Sequence, residues 1–103
     1  MPSKSSNIDI DAIDEVIHGR LRLGIMAYLS AVNPASFPEL LSKTGTSNGN
    51  LSTHLSKLES AGYVTQEKGF AGKKPQTLIS LTETGRDAWI RYLRAMKELL
   101  ERN

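Results

Sequence analysis

From Thr46 to Val64 the chain reads TSNGNLSTHLSKLESAGYV. Leu51, Leu55 and Leu58 recur at steps of four and three, which puts them along one side of a helix. The other side carries Ser47, Asn48, Asn50, Ser52, Thr53 and Ser56, with His54 and Lys57 among them. A helix that merely faces solvent usually bears Glu and Lys there. Short hydroxyls and amides let a backbone come close to a second surface and still hydrogen-bond to it. Asn presents a donor and an acceptor side by side, the arrangement that matches N6 and N7 of adenine, while Ser and Thr suit phosphate oxygens or base edges. Gly49 costs about 1 kcal/mol against Ala in a helix interior, and close approach is a reason to accept that cost. Positions 46–50 alone are equally an ordinary capped helix start. The small polar residues beyond them favour a contact surface. His54 is open to two readings, a contact residue or a half-buried spacer. His18 reads as a helix-end residue with no assigned role.

A second group of polar residues follows. Lys73 and Lys74 are adjacent in GFAGKKPQ (69–76), with Lys68 before them and Gln76 after. They are the candidates for phosphate contact, joined by Lys57. Residues 43–74 hold five lysines against two glutamates, whereas residues 1–42 carry a net charge of −2. A basic middle suits a polyanion. No Arg occurs between Lys43 and Thr84. Bidentate arginine–guanine contacts are therefore unavailable from this region, and modest affinity or an A/T-leaning site is expected. Lys43 ends its own helix, where it complements the dipole.

Other chemistries find no support. The chain has no Cys, so neither a disulfide scaffold nor a thiolate metal site is expected, and its two His make no metal-binding pattern. No nucleophile elbow, paired-His helix or phosphate loop is present, so neither an enzyme nor a cofactor is expected. No apolar run approaches the roughly 18 residues that span a bilayer, and MPSKSSNIDID lacks the apolar core of a signal peptide. A cytoplasmic protein without membrane contact is expected. Its 103 residues suit one small domain.

The elements that must position these groups follow from local signals. Residues 1–7 are polar and expected to be a disordered tail, with the domain running over 8–103. Asp9 or Asp11 is expected to cap a first helix over Ile10, Ile13, Val16 and Ile17, interrupted at Gly19. A second helix presents Leu21, Ile25, Tyr28, Leu29 and Val32, and NPAS (33–36) turns the chain. Ser36 and Glu39 form a capping box for a helix that buries Phe37, Leu40 and Leu41. Gly45 suits a left-handed cap, Ser47 caps the Leu51–Leu58 helix, and Gly62 ends it. YVTQEK (63–68) and TLISL (77–81) suit strands around a hairpin loop at 69–76. Thr82 caps a last helix running to about Glu101. Two helices joined by a short glycine turn make a helix-turn-helix at 36–62. With the hairpin (63–81) behind it, the pattern is a winged helix: mainly α with a small β-hairpin, with helices at both ends that are expected to form a dimer interface.

FPELLSKTGTSNGNLSTHLSKLESAGYV and KGFAGKKPQTLISLTETGRDAW resemble the helix-turn-helix, wing and final-helix start of MarR/ArsR-type winged-helix transcriptional regulators, the compact single-domain group of bacteria and archaea. The resemblance covers about residues 16–93. It implies a homodimer on double-stranded DNA, with the second helix of the motif in the major groove and the wing on flanking backbone or minor groove. It implies dimerisation through the first and last helices.

The last helix has a wide apolar stripe, Trp89, Tyr92, Leu93, Met96, Leu99 and Leu100. These residues either complete one chain's core or meet a second chain. An isologous dimer is expected, with Ile10, Ile13 and Ile17 opposite Trp89, Tyr92, Leu93, Met96 and Leu100. Nothing in the sequence indicates a small-molecule effector. The competing reading is a winged helix used for protein–protein contact without specific DNA binding, which the missing arginines favour.

Overall fold

A computed structural model describes residues 9–101. The elements are α1 (Arg20–Ala31), β1 (Ala35–Ser36), α2 (Phe37–Thr44), α3 (Asn48–Ser60), β2 (Val64–Ala71), β3 (Lys74–Leu81) and α4 (Glu83–Glu101). The order is that of a winged helix: a helix, the helix-turn-helix pair, an antiparallel hairpin and a long final helix. The expected tail at 1–7 lies outside the described residues.

Local chemistry sets most boundaries. Ser36 Oγ accepts from the Glu39 N–H at 3.1 Å while the Glu39 carboxylate takes the Ser36 N–H at 3.4 Å, the expected capping box. Gly45 closes α2 with φ 66°, a conformation that costs glycine nothing and lets α3 begin three residues later. Ser47 Oγ caps α3 through the Asn50 N–H at 3.2 Å. Thr82 Oγ1 caps α4 through Gly85 N–H at 2.9 Å, and its hydroxyl donates to the Gly62 carbonyl at 2.6 Å.

Three expectations about the elements are corrected. The first helix is absent. Only a short 3-10 turn at Ile10–Ala12 forms. Past it, Asp14 Oδ1 takes the N–H groups of Val16 (2.8 Å) and Ile17 (3.2 Å). A side-chain acceptor so close in sequence competes with helical bonding and turns the chain instead. The segment is fastened at its far side, because Tyr63 hydroxyl donates to Asp14 Oδ2. The wing loop is also shorter than expected. The ladder continues from Val64↔Leu81 to Ala71↔Lys74, leaving only Gly72 and Lys73 in the turn. Gly72 has φ 65° and Lys73 does not have a positive φ, the sign pattern of a type II′ hairpin. Pro75 fits within β3 because the pair beside a two-residue turn's closing pair points its N–H groups outward. Third, NPAS (33–36) is not only a turn. Ala35 and Ser36 pair with Ile79 and Leu78, making a three-stranded sheet in the order β1-β3-β2.

The core unites these elements. Ile25, Met26 and Leu29 of α1, Leu40 of α2, Leu51, Leu55 and Leu58 of α3, and Val64 and Ile79 of the sheet are buried. Each large aliphatic side chain removed from water stabilises the fold by about 1.5–3 kcal/mol. Three residues expected at a subunit interface lie in this same core: Ile17, Trp89 and Tyr92. Trp89 and Tyr92 stack with ring centroids 5.9 Å apart, and the Tyr92 hydroxyl shares a 2.9 Å hydrogen bond with His18 Nδ1. Val32, by contrast, is exposed rather than on the buried face.

Gly85 marks a close approach. A Cβ there would stand 2.1 Å from the Tyr63 carbonyl oxygen, so α4 can cross the base of the hairpin only at a residue without a side chain.

Candidate nucleic-acid interface

With Leu51, Leu55 and Leu58 turned into the core, helical geometry turns Gly49, Thr53, Ser56 and Ser60 to the opposite side. Ser47, Asn48, Asn50, Ser52, Thr53, Ser56 and Lys57 are all exposed, and His54 is half-buried. The helix thus divides as its sequence suggested, three leucines inward and a face of small polar groups outward. Asn48 and Asn50 lie in the first turn, where unpaired backbone N–H groups and the helix dipole also favour an anion.

His54 holds a position between the two readings left open by the sequence. Its Nδ1 is 2.7 Å from the Arg22 guanidinium of α1. Arginine can only donate, so Nδ1 accepts and the proton of the neutral ring sits on Nε2. Arg22 Nε also donates to the Val16 carbonyl. Desolvation holds the His54 pKa below its ordinary value, and the neighbouring charges of Arg22 and Lys57 push the same way. The ring is therefore a neutral donor on the flank of α3, fixed from behind by Arg22.

Arg22 is the functional candidate that sequence reading missed. The region without arginine, from Lys43 to Thr84, does supply no guanidinium of its own. Arg22 nevertheless reaches α3 from 32 residues upstream. Together with Arg20 and Lys43 it lines a groove that Asn50 and His54 also border, between α1 and the turn joining α2 to α3. A second groove, lined by Glu15, Val16, Arg22, Thr53, Ser56 and Lys57, runs along the other flank of the same helix.

Lys68, Lys73 and Lys74 are exposed on the hairpin and Gln76 is half-buried. Gln66 connects the hairpin to α3 through a 3.1 Å hydrogen bond from its side-chain amide to Glu59. Lys73 stands in the turn itself and Lys74 closes it. The lysines thus occupy the tip and edge of the wing.

Of the residues expected between subunits, Ile10, Leu93 and Leu100 are exposed, and Ile13 and Met96 are half-buried. Ile90, exposed at 47 %, joins them on α4. Ile10, Ile13, Met96 and Leu99 border one groove. Among the described residues no cluster of three or more acidic or His side chains is placed to hold a metal ion. No described helix is long and apolar enough to cross a membrane.

Comparison with known proteins gives the same architecture. Residues 21–100 match the family model described as a winged helix DNA-binding domain. An uncharacterized protein of Methanocaldococcus jannaschii is 31 % identical over 85 residues, covering 82 % of this chain and 92 % of that one. The solved structure of a transcriptional regulator homologue from Pyrococcus horikoshii superposes with TM-score 0.81 at 28 % identity, over 85 % of this chain and 87 % of that one. A MarR family transcriptional regulator from Silicibacter pomeroyi shares the fold, with TM-score 0.66 at 22 % identity over 84 % of this chain and 57 % of its own. The chain belongs to the winged helix DNA-binding domain family, with the MarR/ArsR-type regulators as its structural relatives, and that family is one of DNA-binding regulators rather than enzymes.

Proposed function

We propose that this protein is a sequence-specific transcriptional regulator that binds double-stranded DNA as a cytoplasmic homodimer. α3 enters the major groove and the wing lies on the flanking backbone and minor groove. The observation that carries this reading is the outward face of α3. Seven of the eight residues assigned to it from sequence are exposed, and the eighth, His54, is presented from its edge as a neutral donor. Asn48 and Asn50 are suited to adenine, Ser52, Thr53 and Ser56 to base edges or phosphates, and Lys57 to the backbone.

The dimer rests on the apolar surface that the monomer leaves open. Ile90, Leu93 and Leu100 on α4, with Ile10 before α1, are exposed large hydrophobic residues, and Met96 and Leu99 are half-buried beside them. An isologous pairing through α4 covers this surface and brings two copies of α3 to one side of the assembly. Two such helices read half-sites about 34 Å apart, one turn of DNA.

The test is retention of duplexes from a random double-stranded pool across a salt series, followed by sequencing. Enrichment of a palindrome, with log affinity falling steeply against log salt, is the expected result. Retention without a motif refutes sequence specificity. No retention at low salt refutes DNA binding and leaves the protein-contact reading of the fold.

A further inference from the structure

Phe70 is the most conspicuous residue of the wing that a phosphate-binding role does not use. It is 75 % exposed, close to the tip of β2, and is not part of the core. Its cross-strand partner is Pro75, also exposed. Ladder register puts Val64, Gln66, Lys68 and Phe70 on one face of the hairpin, opposite Leu81, Ile79, Thr77 and Pro75. At its base this face is the buried one, with Val64 and Ile79 in the core. One step out, Gln66 bonds to Glu59 of α3. Beyond that, Lys68 and then the Phe70–Pro75 pair continue the same face into solvent. Phe70 is therefore on the side of the wing turned toward the recognition helix.

At 75 % exposure the Phe70 ring gains little from burial. Cations stand on either side of it: Lys68 on the same face, Lys73 in the turn, and Lys74 at the closing pair on the opposite face. An apolar pair flanked by lysines matches a surface that is anionic at its rims and apolar at its floor. The minor groove of DNA has that character, with phosphates along both edges and sugar rings and stacked bases between them. Apolar wedges including Phe and Pro are known to enter it and part a base step. The wing has no arginine to fill the groove by hydrogen bonding, so its apolar pair is the group of the right size at the tip.

Building on the DNA-binding reading above, we propose that Phe70, braced by Pro75, is a wedge that the wing inserts into the minor groove beside the recognition site, kinking the duplex there. Lysines bring the tip to the groove, and the aromatic ring deforms it. Sequence preference then extends to a flanking step that unstacks easily, such as TA or CA, without a hydrogen bond to it.

The experiment uses the full chain and end-labelled duplexes of about three helical turns, taken from those retained out of the random pool. Dissociation constants across a salt series and energy transfer between the duplex ends are measured for the wild type, Phe70→Ala, Phe70→Trp and the double variant Lys73→Ala/Lys74→Ala. The wild type is expected to shorten the end-to-end distance, as a kink of at least about 20° requires. Phe70→Ala is expected to bind about tenfold more weakly, to keep the salt slope and to leave the duplex straight. Phe70→Trp keeps both affinity and bend, and the lysine variant keeps the bend while flattening the slope. Thermal melting of Phe70→Ala at the wild-type temperature shows that the fold is intact. Equal affinity and equal bending by Phe70→Ala overturn the wedge while leaving DNA binding standing. A change in slope without loss of bend also overturns it. Failure of the wild type to retain any duplex overturns the DNA-binding reading itself, and the wedge with it.

Discussion

Individual residues hold this fold in ways that differ sharply in magnitude. Gly85 is the most demanding. An added methyl would overlap the Tyr63 backbone, with its Cβ 2.1 Å from the carbonyl oxygen and 2.8 Å from the carbonyl carbon. Backbone cannot yield as a flexible side chain can, so Gly85→Ala is expected to destabilise the protein by about 1–3 kcal/mol through overpacking, despite the better helix propensity of Ala. Thermal or urea unfolding reads this directly. His54 makes a prediction about pH. Its folded pKa lies below the ordinary value of 6.5, chiefly through desolvation and then through Arg22 and Lys57. In the window below about 6.5 the unfolded chain takes up a proton that the folded ring refuses, so stability falls as pH falls through it. The contribution is intact above pH 6.5 and is lost on acidification down to the folded value. His54→Gln should flatten the stability curve over that window, as measured by denaturation midpoints at successive pH values. A His54→Gln curve that falls as steeply there as the wild type would contradict the lowered pKa of His54. Tyr63 is at the opposite extreme, with its hydroxyl pushed up to about 12 by burial and by its bond to the Asp14 carboxylate, so it stays a donor at every physiological pH.

At the scale of elements, the proposed DNA contact assigns different tasks to the wing lysines and to α3. Replacing Lys73 and Lys74 by Ala should lower the slope of log affinity against log salt by about two, one for each lost phosphate contact. It should weaken binding to all sequences alike. Replacing Asn50 by Ala should instead relax preference at particular positions and leave the slope nearly unchanged, a contrast that quantitative binding to a mutated site resolves. The same elements show what a sequence makes legible. The capping box at Ser36–Glu39, the glycine turn at 45, the Ser47 cap and the leucines of α3 are short-range signals, and each appears where the residues indicated. The small polar face of α3 followed from the same periodicity. The misreadings have a common physical origin, since each depends on a pairing that no helix or turn signal announces, some of it local and some far along the chain. Ile10, Ile13, Val16 and Ile17 carry a helical period, but Asp14 diverts two N–H groups and is anchored 49 residues away by Tyr63. Gly69, Gly72 and Pro75 punctuate the wing as a loop would, yet cross-strand pairing carries the ladder through them. Arg22 reaches the recognition-helix flank through a histidine 32 residues on, and nothing beside it in sequence announces that.

For the whole molecule, the question is how the apolar stripe of α4 is shared. Its inner part, Trp89 and Tyr92, completes the core, and its outer part, Leu93 and Leu100, stays open to solvent, as does Ile90 on the flank. Only the outer part is free to meet a second chain. Leu93→Glu combined with Leu100→Glu should therefore yield a folded monomer, seen as a halved mass in sedimentation with an unchanged circular dichroism spectrum. Its affinity for a palindromic site should fall well below that of the dimer, because two half-sites no longer bind as one unit. A wild type that already sediments as a monomer at micromolar concentration would remove the dimer. The family comparison supports the fold and its DNA-binding character. Which surface joins two copies is decided by this measurement.

The junction at Gly62, Tyr63, Thr82 and Gly85 also bears on how a signal would travel. Thr82 takes the Tyr63 carbonyl through its N–H and the Gly62 carbonyl through its hydroxyl, while α4 rests directly on the Tyr63 backbone at Gly85. No side chain lies between α4 and the hairpin there to act as a cushion. The hairpin and α4 are thus welded like the two arms of a bell crank, with the fulcrum at the hairpin base. A change in the angle at which α4 meets its neighbour, another subunit or a bound molecule, is therefore expected to reach the wing through this junction. The far end of such an arm moves further than its root, so a slight tilt at α4 becomes a larger sweep at Lys73.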